Sequence, residues 1–145
     1  LLALDATASV RGPDQVVRDV PLTALPAATG LLLSVKLNGT PQKTLRIDRS
    51  LRPVVSAALG LESAEGFVVS ARLAVGCAYR EAVVWSLPLP GPLSTRELAQ
   101  GAAMLAAEVA QQLPAPLDDW LGSAAYRRRM IGVLLQRLLR QEHTA

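Results

Sequence analysis

An α+β fold, with helices gathered on one side of a small antiparallel sheet, is the class this sequence predicts. Three observations carry it. Short runs with apolar residues at every second position fill the chain up to Trp85. Pro88, Pro90 and Pro92 then interrupt any regular structure. Beyond that break the apolar residues change to helical spacing.

The elements follow in order. Leu2, Leu4, Ala6, Ala8 and Val10 alternate with Asp5, Thr7 and Ser9, which predicts a half-buried strand. Leu1 to Leu4 reads as the middle of that strand, so the chain is expected to be excised from a longer protein. Arg11 to Gln15 contains Gly12 and Pro13 and predicts a turn. Val16 to Leu22 returns as the second arm of a hairpin, ended by Pro21, which has no N–H to donate. Ala24 to Gly30 reads as connector. Leu31 to Leu37 is the third strand, and Asn38-Gly39 with Pro41 predicts a loop. Lys43 to Arg52 has no clear period and reads as loop with a short helix or strand. Val54–Glu62 and Phe67–Tyr79 form the clearest β pair, joined by a short turn containing Gly66. In the second of these, Val69, Ala71, Leu73 and Val75 are expected on one face and Val68, Ser70, Arg72 and Ala74 on the other. Glu81–Trp85 adds a short strand.

Two helices close the chain. Ser94 or Thr95 with Glu97 resembles a capping box. Leu98, Ala102, Leu105, Val109 and Leu113 then lie on one helical stripe, which Pro114 and Pro116 terminate. Ser123 announces the second helix, whose buried face is read as Tyr126, Met130, Val133 or Leu134, and Leu138, widened by Ile131 and Leu135. Arg127, Arg128, Arg129, Arg137 and Arg140 are expected to flank it with their heads in water.

Composition narrows the function. At 145 residues the chain is one domain with room for a small appendage, and it buries about 68–70% of its unfolded surface without staples. Half of the residues are hydrophobic, which excludes intrinsic disorder. One cysteine excludes a disulfide framework and a cysteine-built metal or iron–sulfur site within the chain, and one histidine argues against a histidine metal site. Aromatic residues make up only 3%, too few for base-stacking platforms. The net charge of +3 is concentrated from Ser123 onward, where five arginines face one glutamate. That points to one basic helix face and not to a general affinity for nucleic acid. No apolar run is long enough for a membrane span, and no leader pattern precedes one.

Chemistry-bearing residues are sparse. Cys77 reads as a buried, inert thiol inside a strand, and pairing it with His143 would require the tail to fold back. Asp118 and Asp119 read as solvated turn residues before a helix. No glycine-rich phosphate loop occurs. Lys43 is one of two lysines among thirteen arginines. At a sheet edge it offers a point charge to an anionic ligand, with a plain solvent lysine as the other reading.

Five stretches, in this order, resemble the C-terminal portion of the FAD-binding subunit of molybdenum hydroxylases, the group of xanthine dehydrogenase and aerobic carbon monoxide dehydrogenase. They are LDATASVRGPDQVVRDVPL from Leu4, GLLLSVKL from Gly30, KTLRIDRSLRPVVSAALGLE from Lys43, GFVVSARLAVG from Gly66 and GSAAYRRRMIGVLLQRLL from Gly122. The last, with its Ser-x-x-Tyr-Arg-Arg pattern, is the most specific. The resemblance implies that residues 1–37 are the tail of an FAD-binding domain, with the β-hairpin as its remnant. Residues 38–145 would be the CO dehydrogenase flavoprotein C-terminal domain, a three-stranded antiparallel sheet on a helical bundle.

In this family electrons pass from a molybdenum large subunit through an iron–sulfur small subunit to FAD. The resemblance therefore implies those two partners, FAD as cofactor, no nucleic acid and a cytoplasmic location. Lys43 corresponds to a loop lysine near the flavin, and Leu32 to an apolar strand residue that packs on the ring. The family's pyrophosphate loops lie ahead of the part matched by Leu1, so this stretch alone is not expected to retain FAD. Tyr126 and Arg127–Arg129 are expected to pack the last helix and wet its flank, with docking to the iron–sulfur subunit as the alternative. Two other readings stay open: a stand-alone subunit-interaction module of the same fold, and a small basic nucleic-acid binder.

Overall fold

The computed structural model describes residues 1–37 and 53–141 in full and residues 42–47 as backbone. The expectations at Asn38-Gly39, at Arg49 and Arg52, and at His143 lie outside the described residues. Strand β1 (Thr7–Arg11) pairs with β2 (Val17–Pro21) as the expected hairpin, and β3 (Leu31–Lys36) pairs along its other edge. A second antiparallel sheet runs β4 (Gln42–Ile47), β5 (Ser56–Ala64), β6 (Phe67–Gly76) and β7 (Val83–Ser86), in that order. It has four strands where the resemblance implied three. The extra one, β4, takes up part of the stretch read mainly as loop.

Helices α1 (Thr95–Gln112) and α2 (Ala124–Gln141) cover one face of the second sheet. Leu59, Leu73, Leu98, Val109, Ile131, Leu135 and Leu138 are fully buried between the two layers. Each such side chain contributes about 1.5–3 kcal/mol relative to exposure. The α1 stripe is the expected one, widened by Ala106 and Ala110. Its start is a complete capping box. The Ser94 hydroxyl oxygen accepts from the Glu97 amide at 3.3 Å, and the Glu97 carboxylate accepts from the Ser94 amide at 2.9 Å.

The opposite face of the second sheet is covered by the N-terminus. Leu2–Leu4 forms a 3-10 turn and not the start of β1; Ala6, Ala8 and Val10 are buried as expected, but Ser9 between the last two is buried as well. The turn lies over β5 because Gly60 has no side chain: a Cβ there would sit 2.0 Å from the Ala3 carbonyl oxygen. Asp5, at the end of the turn, meets Arg72 of β6 at 3.1 Å.

Two expectations in β6 are corrected. Val68 is buried and Val69 is exposed, the reverse of the simple alternation. Glu62 opposes Ser70 while Ser63 opposes Val68, so Val69 is an extra residue in a bulge that flips the phase. The strand also ends at Gly76. Cys77 follows at φ 64 and is exposed, so it is not a buried strand thiol.

Helix α2 buries Ile131, Leu134, Leu135 and Leu138 on the expected face and differs at its edges. Its buried positions are Arg127, Ile131, Leu134, Leu135, Leu138 and Leu139, while Tyr126 is half exposed. The main difference is Arg127, a charged side chain buried inside the apolar stripe. Among the described residues no helix is long and apolar enough to cross a membrane.

Candidate functional site

Leu32 lies on β3, opposite Val10, and is 46% exposed. Its neighbours Leu31 and Leu33 are exposed as well. β-Strands rich in leucine are ordinarily covered on at least one face, so this edge presents apolar surface for a further layer. The remainder of the sheet is locked by polar links. Ser9 donates to Asp19 at 2.5 Å, and Lys36 reaches the same carboxylate at 3.0 Å. These two contacts, the serine first, hold Asp19 below the usual carboxylate range.

Lys43 lies on β4, opposite Leu61, near the start of an edge strand of the second sheet. The two predicted residues thus belong to different sheets, and residues 38–41 between their strands are outside the description.

The strongest polar constellation is one the sequence reading missed. Arg127 is 1% exposed. Its guanidinium donates to the Cys77 carbonyl at 2.7 Å, the Gly122 carbonyl at 3.2 Å, the Val54 carbonyl at 3.4 Å and the Asp119 carboxylate at 2.5 Å. One buried side chain therefore ties the segment entering β5, the segment leaving β6 and the turn before α2. Asp119 is not a free solvated carboxylate. Burial pushes it up, but the Leu121 amide and then Arg127 outweigh this and hold it below the usual range.

The neighbouring Arg128 caps the C-terminus of α1, donating to the carbonyls of Ala110 at 2.6 Å, Leu113 at 3.0 Å and Pro114 at 3.2 Å. Cations suit that end of a helix, where carbonyls lack intrahelical partners. Two of the five arginines of the basic helix are thereby turned to structural work. The only advance signal was an Asp119 and an Arg127 flanking the start of a helix.

Both helix N-termini are closed by their own side chains. Besides the capping box of α1, Ser123 accepts from the Tyr126 amide at 3.2 Å and Asp118 from the Ala124 amide at 3.4 Å. A carboxylate, Glu97 or Asp118, already stands at each end, which disfavours a phosphate there. Among the described residues no group of three or more His, Cys, Asp or Glu could hold a metal ion.

Comparison with known proteins adds the following. The family model described as CO dehydrogenase flavoprotein C-terminal domain matches residues 48–142. Among solved structures, quinoline 2-oxidoreductase from Pseudomonas putida 86 is similar over 99% of this chain and 54% of its own, at 22% identity and a TM-score of 0.72. Reconstituted CO dehydrogenase from Oligotropha carboxidovorans is similar over 99% and 55%, at 23% identity and a TM-score of 0.67. The CO dehydrogenase of Hydrogenophaga pseudoflava that lacks the Mo-pyranopterin moiety is similar over 99% and 54%, at 19% identity and a TM-score of 0.65. No curated protein matches in sequence. The chain spans about half the length of the solved chains it resembles.

Proposed function

Because this chain belongs to the family of CO dehydrogenase flavoprotein C-terminal domains, we propose that it is the C-terminal part of the flavoprotein subunit of a cytoplasmic molybdenum hydroxylase. In this reading residues 1–37 finish an FAD-binding domain. Residues 38–145 are the domain that closes one side of the cofactor and works beside an iron–sulfur and a molybdenum subunit.

The observation that carries the reading is the apolar edge at Leu31–Leu33, with Leu31 at 64% exposure, followed in sequence by a strand bearing Lys43. In this reading Leu32 and Lys43 would line one side of a flavin. Leucine side chains suit the face of a planar ring, and a lysine suits the negative charge that a ring gains on reduction. The helix N-termini do not suit the pyrophosphate, since both are already capped.

FAD, when bound, supplies the electron-accepting chemistry. Leu32 keeps water from the ring side. Lys43 would supply a positive charge beside the ring, which suits its reduced, more negative form. Arg127 acts at a distance from this wall, fixing the segments entering β5 and leaving β6.

Flavin titration tests the reading. A longer subunit that contains this chain should bind FAD near one to one, and the 145-residue chain alone should stay colourless. A longer subunit that binds no flavin would favour the stand-alone interaction module.

A further inference from the structure

We propose that the turn Asp119–Gly122 is a rigid anchor that docks this chain onto a partner subunit presenting an apolar cleft rimmed by carboxylates. The proposal rests on the reading above that the chain works inside a multi-subunit oxidoreductase.

Trp120 is 91% exposed, and Leu121 beside it is half exposed. A tryptophan left almost wholly in water adds nothing to this fold's core. It is also the residue type most enriched where binding energy concentrates. The turn that carries it is built for stiffness. The Asp119 and Gly122 backbones exchange hydrogen bonds at 3.1 and 3.3 Å, and the Asp119 side chain accepts from the Leu121 amide at 2.9 Å. The buried Arg127 grips both ends, Asp119 through its carboxylate and Gly122 through its carbonyl. Such a tip has little conformational freedom left to lose on binding.

Tyr126 extends the patch. Its ring lies against Gly122, where a Cβ would be 3.2 Å from Tyr126 Cδ1. Arg129, three residues on, shares that side of α2 and is exposed, as are Arg137 and Arg140. Helix α2 has five arginines and no acidic residue between Ala124 and Gln141. Asp118, the nearby carboxylate, is turned onto the Ala124 amide. An aromatic knob beside a cationic helix face complements an apolar cleft with an acidic rim.

The test uses the full-length subunit with its iron–sulfur and molybdenum partners. Assembly is measured by calorimetry at two salt concentrations, with oxidative footprinting of Trp120 in the free subunit and in the complex. Trp120→Ala should weaken assembly at least tenfold, and Trp120→Phe should restore most of it. Arg129→Glu should weaken it more at low than at high salt, and Trp120 should become protected in the complex. Unchanged melting of the free variants shows that the fold is intact. Equal assembly of Trp120→Ala and wild type, or an unprotected Trp120, overturns the proposal. So does Trp120-dependent self-association or binding to anionic vesicles, which would assign the tip to a second copy or a lipid surface. A wild-type subunit that assembles with neither partner sinks the functional reading and this proposal with it, an outcome distinct from an assembled complex indifferent to Trp120.

Discussion

Replacing Arg127 by alanine should cost the fold about 3–4 kcal/mol. The side chain is 2% exposed and satisfies carbonyls from three separate segments together with Asp119. Truncation leaves the Cys77 carbonyl without its donor, a loss of about 1–3 kcal/mol when buried, and leaves the Gly122 carbonyl only its 3.3 Å bond from the Asp119 amide. The Val54 contact at 3.4 Å is long and adds little. Asp119 is 34% exposed, so water softens the loss of its partner, and the total stays in the lower part of the roughly 3–5 kcal/mol range for breaking a buried pair. For a chain of this length that corresponds to a fall in Tm of about 10 °C. Urea denaturation and calorimetry of Arg127→Ala, Arg127→Lys and Arg129→Ala provide the assay. Lysine keeps the charge but not the fork and should recover only part of the loss. Arg129→Ala, on the exposed side, should stay within about 0.5 kcal/mol of wild type. An Arg127→Ala variant that loses less than about 1 kcal/mol would refute the argument that this group fastens the sheet to the turn.

Gly60→Ala should drive the N-terminal turn off β5, because the added Cβ meets a backbone oxygen and not a flexible side chain. Amides of residues 2–6 should then lose protection from hydrogen exchange, with a loss of about 1–3 kcal/mol; unchanged protection would mean the turn is not seated on the strand. Acid should also weaken the fold. Asp14, Asp19, Glu97 and Asp119 are all held below their ordinary values in the folded state. Their stabilisation is therefore complete above the unfolded carboxylate range near about pH 4 and is lost as pH falls through the lowered folded values. Calorimetry should give a flat Tm from pH 5 to 7 and a falling one below about pH 4, whereas a Tm that rises on acidification would contradict the sign.

The order of strands and helices could be read from periodicity because most core positions are aliphatic. Leu98, Ala102 and Val109 fall on the stripe their spacing predicts, and Ser94 and Glu97 form the box their spacing predicts. The failures share one cause, a single residue whose local chemistry breaks the pattern. Val69 slips out of register in a bulge, and the buried face of α2 runs through Arg127, which no hydrophobic pattern counts as core. Cys77 looked like strand because its flanks are apolar, yet it turns at positive φ where the Arg127 guanidinium takes its carbonyl. The Leu1–Leu4 run is apolar for another reason: it covers the outer face of the second sheet as a turn. Of the candidate site, Leu32 was legible as an apolar strand residue. Lys43 was singled out by its rarity and by resemblance, and its place beside a flavin remains the proposal made above, while nothing in the sequence pattern marked the Trp120 tip that the buried Arg127 holds.

The central claim is that this chain forms the wall beside a flavin, with Lys43 as its positive charge. The direct measurement is the flavin midpoint potential of the full-length subunit, wild type against Lys43→Ala. A lysine within several ångströms of the reduced ring is worth about 1–3 kcal/mol at an effective dielectric near 20, so its removal should lower the two-electron potential by roughly 20–60 mV. An unchanged potential in a subunit that still binds FAD would return Lys43 to solvent and contradict the account.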